Sequence, residues 1–273
     1  MEPLSNHYAL LRILKIAALL LSASLLSHCT SHPYRGDAAR YSTPATSPAV
    51  EENSIAKSRP GLGTELGHEL TDTSSTATFY RKSTGQPDAM ATFHYNDDEG
   101  ARLMASLQGR PARRDGGFEL IPGKLRVTVM DGSRYSSSAL DHYESGQGIF
   151  VIGTPGENYS LKLANRTSRR MEVVVSVDGL SLLDGQPASA RKPGYIIPAK
   201  SAVILRGMRV GGKLYSLEFG SVKESRASTA FGQKGARNVG VIGMACYEED
   251  EIVRRRAQVE ESYVREGARA FGS

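Results

Sequence analysis

The chain has 273 residues, 40% of them apolar and 23% charged, which excludes wholesale disorder, a collagen-like repeat and a coiled coil. With 28 Gly and 12 Pro it is rich in turn formers, which suits short strands better than long helices. A formal charge of +5 falls short of a nucleic-acid-binding signature, and two Cys exclude a disulfide-dense scaffold and a Cys-based zinc ribbon.

Residues 1–29 read as a secretory signal peptide. Arg12 and Lys15 form a positive start, Ile16 to Leu26 is an uncharged apolar run, and small or polar residues follow. At ~1.5 Å per residue that run is too short to cross a hydrocarbon core of ~30 Å. Two processing routes fit its end. Leu26-Ser27-His28-Cys29 resembles the bacterial lipobox, in which Cys29 becomes the lipid-modified N-terminus, although His28 departs from the small residue usual before that Cys. Ordinary signal-peptidase cleavage after Cys29 also fits, with Ser27 and Cys29 as the small flanking residues. The lipoprotein route is favoured, because a polar Ser/Thr/Pro-rich tether follows.

Residues 30–76 have no sustained period and few large apolar side chains, so they are expected to form a flexible linker. Within it, Leu62, Leu66 and Leu70 have the spacing of one short helix. A β-rich domain is expected over 77–247, with its surest core at 148–247. Thr78 to Lys82 and Met90 to Tyr95 read as strands, Glu99 to Leu107 as a short helix, and Phe118 to Ile121 as a strand. Leu125, Val127 and Val129 alternate with polar residues, the pattern of a half-buried strand.

Between 148 and 247, six short β-branched or aliphatic runs begin at Ile149, Tyr159, Met171, Ala202, Leu214 and Val239. Asp178-Gly179, Asp184-Gly185 and Gly211-Gly212 supply tight turns between them. Val173 to Val177 is nearly continuously apolar, as in a central strand covered on both faces. The polar stretches Asp184 to Pro193 and Lys223 to Arg237 read as loops at strand ends, where recognition residues commonly sit. Residues 248–273 read as a C-terminal helix and tail, with Ile252, Val259 and Tyr263 on one face able to dock the sheet. The expected fold is therefore mainly β, an antiparallel sandwich or small barrel with a C-terminal helix.

Leu161 to Asn165, Val173 to Gly179, Gly194 to Pro198, Phe219 and Asn238 to Gly243, in that order, resemble a family of uncharacterised exported bacterial β-domain proteins. The resemblance covers about 158–247. It implies a domain and carries no site residue.

Signatures of the common catalytic folds are missing from the sequence. His94, Asp97 and Asp98 in one polar cluster, and His142 with Glu144 in another, have the chemistry to bind a metal if they meet, but no recognised ligand spacing. Asp178, Asp184, Glu157, Glu172 and Glu218 are carboxylates that a glycosidase would need in pairs, though turn formation accounts for the two Asp. Without Trp, a sugar platform would have to use Tyr143, Tyr159, Tyr195 or Tyr215. Cys246 lies in an apolar run and is expected to pack in the core.

The favoured expectation is a non-enzymatic, lipid-anchored or periplasmic envelope module that needs no cofactor. Its partner would be an envelope or surface protein or polymer, with the membrane reached through Cys29 and no nucleic acid bound. The alternatives are a metal-assisted or carboxylate hydrolase of cell-wall or extracellular polymer, and a carbohydrate-binding module.

Overall fold

The computed structural model describes residues 59–132, 138–146 and 148–269. Residues 1–58, on which the expected signal segment, Cys29 and most of the expected linker fall, lie outside the described residues. The first half contributes β1 (Leu62–Leu70), β2 (Ala89–Asn96), α1 (Asp98–Ser106), β3 (Ala112–Arg114), β4 (Phe118–Ile121), β5 (Leu125–Asp131), β6 (His142–Ser145) and β7 (Gly148–Ile152). Then come β8 (Asn158–Asn165), β9 (Met171–Val177), β10 (Leu180–Ser181), β11 (Tyr195–Ile197), β12 (Ala202–Leu205), β13 (Gly207–Val210) and β14 (Lys213–Ser221). The chain continues as α2 (Arg226–Ala236), β15 (Val241–Glu248) and α3 (Glu251–Glu266).

Among the described residues these strands form two sheets and no closed barrel. One runs β1-β14-β8-β5-β4, with β12 on β8 and β13 on β14. The other runs β10-β9-β15-β2-β7-β6-β3, with β11 on β9. All pairings are antiparallel except β2 with β7. The inner faces meet through Leu125, Val127 and Val129 of the first sheet and Val173, Val175 and Val177 of the second, all nearly free of solvent. The fold is a β-sandwich in which alternating strands bury one face each.

The continuous Val run of β9 has a second covered face. Val174 packs outward with Ala245 and Tyr247 under Phe79 and Ala190. Asp178 (φ 53) and Gly179 (φ 78) turn β9 back into β10, the positive-φ pair that a two-residue hairpin needs.

Four sequence expectations are corrected. Leu62 to Leu70 is neither helix nor linker but β1, paired along β14. Its Gly63 is required by close packing, since a Cβ there would sit 2.6 Å from the Ser225 side chain and 2.7 Å from Val239. Residues 78–82 form no strand, only a bridge between Arg81 and Glu249. Lys223 to Arg237 is not a loop but holds α2, capped by Ser225 and broken at Gly232 (φ 56). Finally, α3 does not dock the sheet: Ile252, Val259 and Tyr263 are 73%, 54% and 71% exposed, and none of its residues is buried.

Candidate functional site

At the joint between the sheets, Asp178 is buried with its carboxylate as an acceptor for three donors. Oδ2 accepts the Thr64 N–H at 2.7 Å; Oδ1 accepts the Tyr95 hydroxyl at 2.6 Å and the Gly240 N–H at 2.9 Å. Thr64 Oγ1 then contacts Tyr95 Oη at 2.8 Å and Tyr159 Oη at 2.7 Å. An ionised Asp178 fixes one donor order: Tyr159 donates to Thr64, Thr64 to Tyr95, and Tyr95 to Asp178. Burial pushes the Asp178 carboxyl up to about 6 against these three hydrogen bonds. It also pushes both tyrosines well above their ordinary value, and the charge of Asp178 raises both further. The hub is sealed, so it can order the sandwich but cannot meet a polymer. Sequence reading weighed Asp178 as a turn residue and as one of five candidate carboxylates, not as a buried junction; a carboxylate at the end of a largely apolar strand was the available signal.

Beside the hub lies a cavity of about 250 Å³ lined by Arg59, Asn96, Tyr95, Met104 and Gly240. Its polar side chains at Arg59, Tyr95 and Asn96 are already engaged. Arg59 donates to the carbonyls of Ala236 and Val239, and Asn96 Oδ1 accepts the Leu62 and Asp97 N–H groups.

The proposed metal clusters do not converge. His94 and Phe150 are register partners, as are Phe150 and Tyr143, so these three share the face covered by α1. His94 stacks on Phe150 with centroids 5.6 Å apart. His142 is aligned with Val151 and Tyr95 on the opposite, inner face, 5.0 Å from the Phe118 ring. Strand pleating thus turns the two imidazoles away from each other. Asp97 caps α1 by accepting the Gly100 N–H. Asp98 accepts from Tyr143 and Arg113, and Glu144 faces Arg114. Among the described residues no group of three or more His, Cys, Asp or Glu is arranged to hold a metal ion.

Several of the other candidates are engaged or buried. Asp184 pairs with Lys192, and Glu172 with Arg81. Tyr143 and Tyr159 are buried, so neither offers a flat face to a sugar. Cys246 is buried, and burial pushes its thiol up to about 12, leaving it a packing residue.

What remains open is a groove of about 520 Å³ on the outer side of β9, within the size range of ligand sites. Phe79, Tyr80, Arg191, Pro193 and Ile196 line it. One wall is the segment around Arg81, and the other is the end of the Asp184 to Pro193 loop. Arg81 joins the walls: Nε meets Glu172 at 2.6 Å, its other nitrogens donate to the carbonyls of Arg191 and Lys192, and its guanidinium lies 3.7 Å over the Tyr247 ring. The Arg191 guanidinium, by contrast, is exposed and has no partner among the described residues. A groove with aromatic walls and a free cation is suited to an extended segment bearing negative charge.

No helix among the described residues is long and apolar enough to cross a membrane. Comparison of the chain with protein-family models, curated proteins and solved structures finds no match.

Proposed function

We propose that this chain is an exported envelope protein, tethered by a lipid on Cys29, whose β-sandwich is a binding module rather than an enzyme. The tether and export rest on the charged start, short apolar run and lipobox-like end of residues 1–29. The binding role rests on one observation: the groove between the Arg81 segment and the Asp184 to Pro193 loop is lined by half-buried Phe79 and Tyr80 and by an exposed Arg191 whose guanidinium has no partner among the described residues. Its occupant is an anionic, extended stretch of another envelope protein or polymer.

A photo-crosslinking residue placed at Arg191 in whole cells tests this, with one at Lys162 on the other sheet as control. The expected result is an envelope adduct from position 191 that disappears when Phe79 and Tyr80 are changed to Ala. Identical adducts from both positions, or none from 191, would remove the groove as a binding site.

A further inference from the structure

The C-terminal helix carries an arrangement that the groove does not explain. α3 has 16 residues, about 24 Å at ~1.5 Å rise, and none of them is buried. A helix of this length is marginal in water unless an apolar face is covered. That face exists: Ile252, Val259 and Tyr263 fall on one side, and all three are exposed.

The charges on α3 specify what covers it. The N-terminal half carries Arg254, Arg255 and Arg256 against Glu251, and the C-terminal half carries Glu260, Glu261 and Glu266 against Arg265. The halves have equal and opposite net charge, so the whole helix is neutral. This order is the reverse of what the helix macrodipole favours, so it is not explained by the helix alone. Arg254 is held by Glu249, and Arg265 by Glu261. Arg255, Arg256, Glu260 and Glu266, which border the apolar stripe, have no partner among the described residues.

We infer that α3 is a self-association helix, pairing antiparallel with α3 of a second copy of this chain. Antiparallel pairing lays each basic half on the partner's acidic half, twice over by two-fold symmetry. Parallel pairing would set like charge against like. In a two-fold antiparallel pair each flank meets its own equivalent, so Arg256 and Glu260, on one flank, face the partner's Glu260 and Arg256. On the other flank Arg255 and Glu266 are likewise opposite in sign, centred somewhat further along the helix. A neutral helix with four acidic side chains is poorly suited to an anionic bilayer surface, which selects a Lys/Arg-rich polar face. The short contact is at the low end of specific interfaces, so the dimer is expected to be weak and concentration-dependent.

Sedimentation velocity on the full chain over a concentration series tests this with two charge-reversed variants. One is Arg255→Glu with Arg256→Glu, and the other is Glu260→Arg with Glu266→Arg. The wild type is expected to dimerise, and each variant alone to weaken self-association by about tenfold or more. Mixing the two variants is expected to restore dimers, because each basic half again meets an acidic one. Circular dichroism of each variant verifies that the exposed substitutions leave the domain folded. A wild type that stays monomeric, dimers indifferent to either reversal, or a mixture that fails to regain association would each overturn the inference. So would a monomer whose α3 binds anionic vesicles in a manner abolished by the arginine reversal.

Discussion

The Thr64 N–H donates to Asp178 Oδ2 at 2.7 Å, and this hydrogen bond joins an edge strand of one sheet to the hairpin end of the other. The N–H groups of Leu62 and Thr64 point away from β14, and both are taken by side-chain oxygens of the facing sheet, from Asn96 and Asp178. The start of the free edge of β1 is thereby satisfied without another strand, which is one way an edge avoids pairing with a second chain.

Asp178 makes the stability of this joint depend on pH in a definite direction. Its folded value, about 6, lies above the ordinary 3.8 of an unfolded Asp, so between those values the folded state holds more protons. Its contribution to stability is therefore fully present below about pH 4 and declines as pH rises through 6. Urea unfolding of wild type against Asp178→Asn at pH 4.5 and 7.5, both read as approximate set points for that window, tests this. The stability gap between the two proteins is expected to be larger at the acid end, and a gap independent of pH would refute the assignment.

The donor order from Tyr159 to Asp178 makes two neighbouring substitutions unequal. Thr64→Val removes the acceptor of the buried Tyr159 hydroxyl and orphans it, at a cost of about 1–3 kcal/mol. Tyr159→Phe deletes the last donor in the chain and orphans no hydrogen. Chemical denaturation is expected to rank Thr64→Val as the more damaging, and the reverse ranking would contradict the order.

His142 acts in the opposite sense to Asp178. Neither ring nitrogen has a hydrogen-bond partner, the nearest carboxylate oxygen, on Glu144, being 3.5 Å away. Burial holds its value below the ordinary 6.5, and Glu144 only partly offsets this. The stability it contributes as a neutral group is present above 6.5 and is lost as pH falls through its folded value. His142→Leu keeps the packing on Phe118 without the buried base, so it is expected to be neutral to stabilising at pH 7 and to lessen acid sensitivity. Thermal melts from pH 7 to 5 that fall as steeply as the wild type's would count against this.

Arg81 is the clasp of the groove. Its side chain is 14% exposed and that of Glu172 only 8%, so Arg81→Ala leaves a largely buried carboxylate with the Gly194 N–H as remaining donor. A loss of about 3 kcal/mol is expected. Hydrogen exchange is expected to show residues 77–84 losing protection first, because the bonds from Arg81 to the Arg191 and Lys192 carbonyls fasten that segment. Unchanged exchange there would show that the clasp is dispensable.

What the sequence disclosed follows from which interactions are local. The alternation of Leu125, Val127 and Val129 and the Val173 to Val177 run announce strands, because burial of one face or two is written into consecutive residues. β1 carries no such mark. Leu-Gly-Thr-Glu-Leu-Gly-His-Glu-Leu is poor in β-branched residues, and what fixes it comes from β14, Asn96 and Asp178, all distant in sequence. α2 was hidden by Gly232 and Gly235, residues that disfavour helix; Gly232 breaks it, and Gly235 gives the close approach to Ala227 that a side chain would block. The turn at Asp178-Gly179 was legible, whereas the use of that side chain as a junction for three donors was not. Likewise, nothing in the spacing of His94 and His142 reveals that β2 and β6 present them to opposite faces.

The most direct measurement is the N-terminal mass of the native protein recovered from fractionated cells. A lipid-modified chain beginning at Cys29, found in the envelope fraction, is the expected result. An intact chain beginning at Met1 in the cytosol would contradict export, and with it the tethered binding role.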